Sequence, residues 1–180
     1  MFEPDILKII VIAIVCVAAL AVLFTIGTVI WTIVKSVKTR NFTKLKYNLV
    51  SVLCVILAAA SWIFNFGWIR FFLTFTGLPV FHAVTFFFLN NFAASHIDKS
   101  RILKISTILC HVAYLTGYFC LPDAGDVDPM CAFFTLIRNE YIVNLFFIIS
   151  FLGFSGSIVC LIVELIEASM IKAKSKSKNK

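Results

Sequence analysis

Charge is what this sequence lacks over most of its length. Five runs contain no Asp, Glu, Lys or Arg at all: residues 9–34, 47–69, 71–97, 105–122 and 141–163. Acidic charge is scarce throughout, with nine Asp and Glu against sixteen Lys and Arg. Runs of this length cannot be the surface of a water-soluble domain, and the segments between them are too short to form one. No carboxylate lies at the centre of a run, so a carboxylate proton relay is not expected. The six cysteines have no zinc spacing and no Cys-x-x-Cys pair. Phosphate-binding loops, dinucleotide fingerprints and haem-attachment motifs are missing, and no metal or cofactor is expected. There is no internal repeat, which removes the inverted-repeat plan of many transporters.

The charge that is present is ordered. Thirteen basic residues fall in alternate connections: Lys35, Lys38, Arg40, Lys44 and Lys46; then Lys99, Arg101 and Lys104; then Lys172, Lys174, Lys176, Lys178 and Lys180. The other side holds only Lys8, Arg70 and Arg138, together with the acids Glu3, Asp5, Asp123, Asp126, Asp128 and Glu140. Basic loops stay cytoplasmic. The expectation is an all-α integral membrane bundle of five transmembrane helices, N-terminus outside and C-terminus cytoplasmic. Glu3 and Asp5 stand where a secretion signal would be basic, so no cleavable signal is expected. The net charge of +7 then reflects anionic lipid at the cytoplasmic face and not nucleic acid.

The spans are expected at about residues 8–34, 47–65, 70–95, 103–121 and 141–167, in one transmembrane domain, followed by a flexible basic tail over 168–180. Gly77 and Pro79 predict a kink in the third span, because proline lacks an amide and clashes with the carbonyl of Phe75. Asn65 to Trp68 reads as a tight outer turn. Asp128-Pro129 resembles a helix start, predicting a short surface helix over 130–137. Ala58 and Ala59 in the second span, and Gly153, Gly156 and Ser157 in the fifth, are helix-packing candidates, since small residues let backbones approach.

His82 is the leading candidate for function, because an ionisable group at membrane depth is costly and normally faces protein or a wet cavity. With Thr85 one turn on and His111 on the next span, it forms a candidate ligand cavity; the histidines differ in depth by about 9 Å. Neutral histidines bonded to backbone as structural glue are the competing reading. Arg70 and Arg138 are candidates for the outer rim, where exposed ion pairs contribute little. Glu164 and Glu167 are expected to pair with nearby lysines. Cys120 and Cys131 flank the acidic loop as a candidate disulfide, with two separate thiols equally compatible.

Gly153-Phe-Ser155-Gly156 matches the Gly-x-Ser-Gly of rhomboid intramembrane proteases, which would make Ser155 a nucleophile. Both candidate histidines precede that serine, the reverse of the rhomboid order, and rhomboids have six helices. The segments 70–91 and 121–139 resemble small multi-pass membrane proteins of Gram-positive bacteria that have no assigned activity, which implies a plasma-membrane location. The leading expectation is a non-enzymatic accessory, scaffold or immunity-like protein acting through helix contacts with a membrane-protein partner or a second copy. A small-ligand-binding or transport component around His82 and His111 is the alternative, and a Ser155 hydrolase the third.

Overall fold

The computed structural model describes residues 12, 23, 26–27, 29–35, 37–38, 40, 42–65, 67–123 and 130–177. The described residues before 39 are helical, and the expected first span over 8–34 otherwise lies outside them. Five α-helices follow: α1 (Phe42–Phe64), α2 (Trp68–Thr76), α3 (Leu78–Ala94), α4 (Arg101–Cys120) and α5 (Glu140–Ser177), with a single 3-10 turn at Ile97–Lys99. Among the described residues α1, α4 and α5 are each long and apolar enough to cross a membrane. Counting the bent pair α2–α3 as one span brings the number to four.

The expected kink in the third span is a full break. Helices α2 and α3 meet at 66°, and the cause is Gly77 rather than Pro79. Gly77 adopts φ 69°, the left-handed conformation that ends a helix, and its N–H closes α2 on the Thr74 carbonyl. Proline then lies in the first turn of a new helix, where its missing amide has no partner to lose. Ser100 caps α4, its hydroxyl accepting from the Leu103 amide at 3.3 Å.

Two further expectations are corrected. The basic tail is not a flexible strip as far as Ser177, because α5 continues unbroken through it. Nothing in residues 168–177 stops a helix, and lysines near its C-terminus suit the dipole. The short helix over 130–137 does not form. Ala132 and Ile137 exchange backbone hydrogen bonds at 2.9 and 3.2 Å, and Phe133, Phe134 and Thr135 between them all have left-handed φ, 51°, 58° and 65°. The Asp128-Pro129 start lies outside the described residues.

The most extensive packing is between α4 and α5, with α1 against α3 and α4. Gly153 of α5 crosses Gly117 of α4 so closely that a Cβ at 153 would lie 2.5 Å from the Gly117 nitrogen. The core gathers Ala58, Phe86, Cys110, Tyr114, Tyr118 and Leu161.

Candidate functional site

At the end of the bundle where α1 and α4 finish, Arg70 is not a rim residue. It is fully buried, and its guanidinium donates to the carbonyls of Ser61, Tyr118 (3.1 Å) and Leu121 (2.8 Å). Those oxygens lie at the C-terminal ends of α1 and α4, where helices leave carbonyls unsatisfied and carry negative partial charge. Asp123 completes the arrangement. Its carboxylate accepts from the amides of Gly67, Ile69 and Arg70 at 2.9–3.0 Å, so it caps α2 from a distant loop, and one oxygen is 3.9 Å from Arg70 Nε. Arg70 therefore clasps two helix ends, with its counter-charge at a third. Cys131 supports the loop by pairing its backbone with Asp123 and donating its thiol to Asn65 Oδ1 at 3.2 Å; it is not joined to Cys120. Arg138 is exposed.

One helical layer below, His82 contacts α4 and α5. Nε2 is 3.0 Å from Ser157 Oγ and Nδ1 is 3.3 Å from Tyr118 Oη. The Ser157 hydroxyl also reaches the Phe154 carbonyl at 2.8 Å; with its proton there, His82 donates at Nε2. Its Nδ1 then accepts from Tyr118, whose hydroxyl is also 3.3 Å from the Pro79 carbonyl. One proton shared between two long contacts leaves the Tyr118 hydroxyl easy to redirect.

This cluster forms the polar part of a groove of about 450 Å³ between α3 and α5. His82, Thr85 and Tyr118 line it, and the rest is almost entirely apolar. Phe81 and Ile162 at its margin are 69% and 52% exposed, so it opens on the side of the bundle. A second groove of about 540 Å³, lined in part by Ala58, Ala59 and Val84, shares Trp62, Pro79 and Tyr118 with the first. Tyr118 thus stands between two grooves, a role its sequence neighbourhood does not signal.

His111 is not part of this cavity. Its Nδ1 donates to the Thr107 carbonyl at 2.6 Å, which leaves Nε2 to accept at 2.8 Å from the Ser51 hydroxyl of α1, a group that also lies 3.0 Å from the Tyr47 carbonyl. The two histidines are separated by the rings of Tyr114 and Phe86, which stack at 3.9 Å between centroids. Both nitrogens of His111 are occupied, and its place is that of a tie between helices.

The remaining candidates sort by helical phase. Ser155 is half-buried, and the serine at His82 is Ser157, two residues further on. Ser157 lies inside a helix whose amides are bonded, so no oxyanion-binding amides face it. Gly153 and Ser157 are buried, a Cβ at Gly156 would meet Ala113 at 3.6 Å, and Ala58 is in the core. These small-residue faces are taken up by packing within the chain; Ala59 is the exposed member. Glu164 corrects another expectation. It is fully buried and makes no pair with a lysine, whereas Glu167 accepts from Ser100 Oγ at 2.7 Å. Among the described residues no three His, Cys, Asp or Glu side chains are gathered for a metal. Compared with known proteins, the chain matches no family model, no curated protein and no solved structure.

Proposed function

We propose that this chain is a multi-pass plasma-membrane protein that binds, and passes on, an apolar small molecule carrying one hydrogen-bonding head. The carrying observation is the 450 Å³ groove, apolar along its length, with His82, Thr85 and Tyr118 as its polar groups. Its volume lies within the range of about 300–1,000 Å³ usual for small-molecule sites. Its lateral opening suits a ligand partitioned into lipid, such as an isoprenoid or a fatty-acyl derivative. The head would take the Tyr118 hydroxyl from Pro79 or His82, and the tail would lie along Leu161, Ile162 and Leu165.

The arrangement in the membrane is part of the same proposal: five spans with the N-terminus outside, α2 inclined at the outer side, and the lysine-rich end of α5 in the cytoplasm against anionic lipid. The basic residues of alternate connections support it. The accessory role through a partner has less support, because the small residues on which it rested pack inside the chain.

The test is native mass spectrometry of the protein extracted gently from its own membrane, beside His82→Leu and Tyr118→Phe. A specific bound small-molecule mass, lost in both variants, is the expected result. Bulk phospholipid alone on wild type and variants would refute the reading. A stoichiometric protein companion with an empty groove would restore the accessory role.

A further inference from the structure

A ligand that takes the Tyr118 proton takes it from His82. The Tyr118 hydroxyl has one proton to give, and two acceptors lie 3.3 Å from it, His82 Nδ1 and the Pro79 carbonyl. Their needs differ. Pro79 is inside α3, where helix geometry brings its carbonyl the amide four residues on. At Nδ1 the donor is Tyr118. No proton lies on Nδ1 itself: the Ser157 proton sits on its shorter contact, 2.8 Å to the Phe154 carbonyl, and His82 donates from Nε2 at 3.0 Å. A neutral imidazole carries one proton, so Nδ1 is left as an acceptor. Tyr114 adds no donor there, its hydroxyl being given to the Tyr118 oxygen.

The groove also offers no charge. None of the described residues that line it is Asp, Glu, Lys or Arg. Arg70, 5.3 Å from the centre of the Trp62 ring, is held by three carbonyls and Asp123. A carboxylate or phosphate head would lie here without a cation, and an ammonium head without an anion, both costly burials. A ketone, ester, ether or quinone avoids that cost but can only accept. Taking the Tyr118 proton, it leaves Nδ1 unpaired in apolar surroundings. A hydroxyl is uncharged, accepts from Tyr118 and returns a proton to Nδ1.

We propose that the groove selects a lipid alcohol, a hydrocarbon tail whose hydroxyl inserts between Tyr118 and His82. Tyr118 donates to the head, and the head donates to His82 Nδ1. The inference rests on the groove being a small-molecule site and adds the chemistry of the head.

The experiment titrates the delipidated full chain in detergent with paired probes, read by native mass spectrometry. Oleyl alcohol and geranylgeraniol are each compared with their own methyl ether, and oleyl alcohol with oleate. Each alcohol should bind about tenfold more tightly than its ether, the cost of one acceptor left unpaired. The added methyl favours the ether in an apolar groove, so partition alone gives the opposite order. In His82→Leu the preference for the alcohol should fall to about one; where that variant does not fold or bind, the wild-type pairs decide. Equal binding of alcohol and ether by the wild type would overturn the alcohol head and leave the groove as an apolar site. Oleate bound more tightly than oleyl alcohol would overturn it too, as would a proton found on His82 Nδ1 by nitrogen-15 NMR. Binding of none of the probes would refute the small-molecule groove itself, and this inference with it.

Discussion

Gly153 and Gly156 lie three residues apart on one helix, and replacing each by alanine should move stability in opposite directions. At Gly153 the new Cβ would lie 2.5 Å from the Gly117 nitrogen, 2.8 Å from its Cα and 2.9 Å from the Ala113 carbonyl oxygen. All three are backbone atoms, which cannot rotate aside. Restoring ordinary contact at 3.4 Å opens the α4–α5 seam by about 0.9 Å at that level. A gap of about 0.5–1 Å forfeits about a quarter to a half of each dispersion contact it touches, and overpacking of this kind costs about 1–3 kcal/mol. The helix-propensity gain from glycine to alanine, about 1 kcal/mol, offsets only part of that. Net destabilisation of about 1–2 kcal/mol is expected for Gly153→Ala. At Gly156 the Cβ would meet only Ala113 Cβ, at 3.6 Å, so the propensity gain remains and Gly156→Ala should stabilise by up to about 1 kcal/mol. Reversible unfolding in mixed micelles, followed by circular dichroism, measures both. Equal shifts of the same sign, or a Gly153→Ala protein at least as stable as wild type, would refute the crossing at Gly117.

Removing the guanidinium in Arg70→Met leaves three helix-terminal carbonyls and the Asp123 carboxylate without it. The expected loss in the same unfolding assay is about 3–5 kcal/mol, whereas Arg138→Met, at an exposed position, should change stability by less than about 0.5 kcal/mol; similar effects would contradict the clasp. Thr135 is β-branched at φ 65°, a conformation costing an L-residue about 1–2 kcal/mol. Thr135→Gly should therefore stabilise by about 0.5–1 kcal/mol after the entropy cost of glycine, and a loss of stability would mean that the turn does not hold this conformation.

How much of this was legible depends on what each feature requires. Helices α1, α4 and α5 followed from apolar length alone. The break at 77–79 was legible as glycine and proline together, but not as two helices, because that turns on the sign of one φ. The end of α5 was misplaced for a physical reason: lysines mark where the bilayer stops, and a helix stops only where its backbone finds a terminating residue. The burial of Glu164 was readable after all. Gly153, Ser157, Leu161, Glu164 and Ala168 are spaced by four, four, three and four residues, so they share one face of α5, and that face is buried. Neighbouring lysines suggested an ion pair, and helical phase outweighed them. The same phase turns Ser155 away from His82 and brings Ser157 to it. Arg70 offered a weaker signal, a lone charge between two apolar runs. Its partner Asp123 is 53 residues away in the chain, and no local pattern carries a pairing at that distance.

Hydrogen-bond accounting separates the polar groups of this bundle by purpose. In lipid, each polar side chain is costly unless satisfied, so the degree of satisfaction indicates what holds it in place. Asp123 accepts from three amides, Arg70 donates to three carbonyls while its Nε, without a hydrogen bond, lies 3.9 Å from the Asp123 carboxylate, and His111 uses both nitrogens; such groups hold helix ends and helices together. Tyr118 shares one proton between two acceptors at 3.3 Å, which suits a group that can turn toward a ligand. The sequence put His82 first and drew His111 into the same candidate cavity because both are ionisable and deep. Their surroundings separate them: His111 is a tie between helices, whereas His82 borders a groove beside a hydroxyl that is not committed.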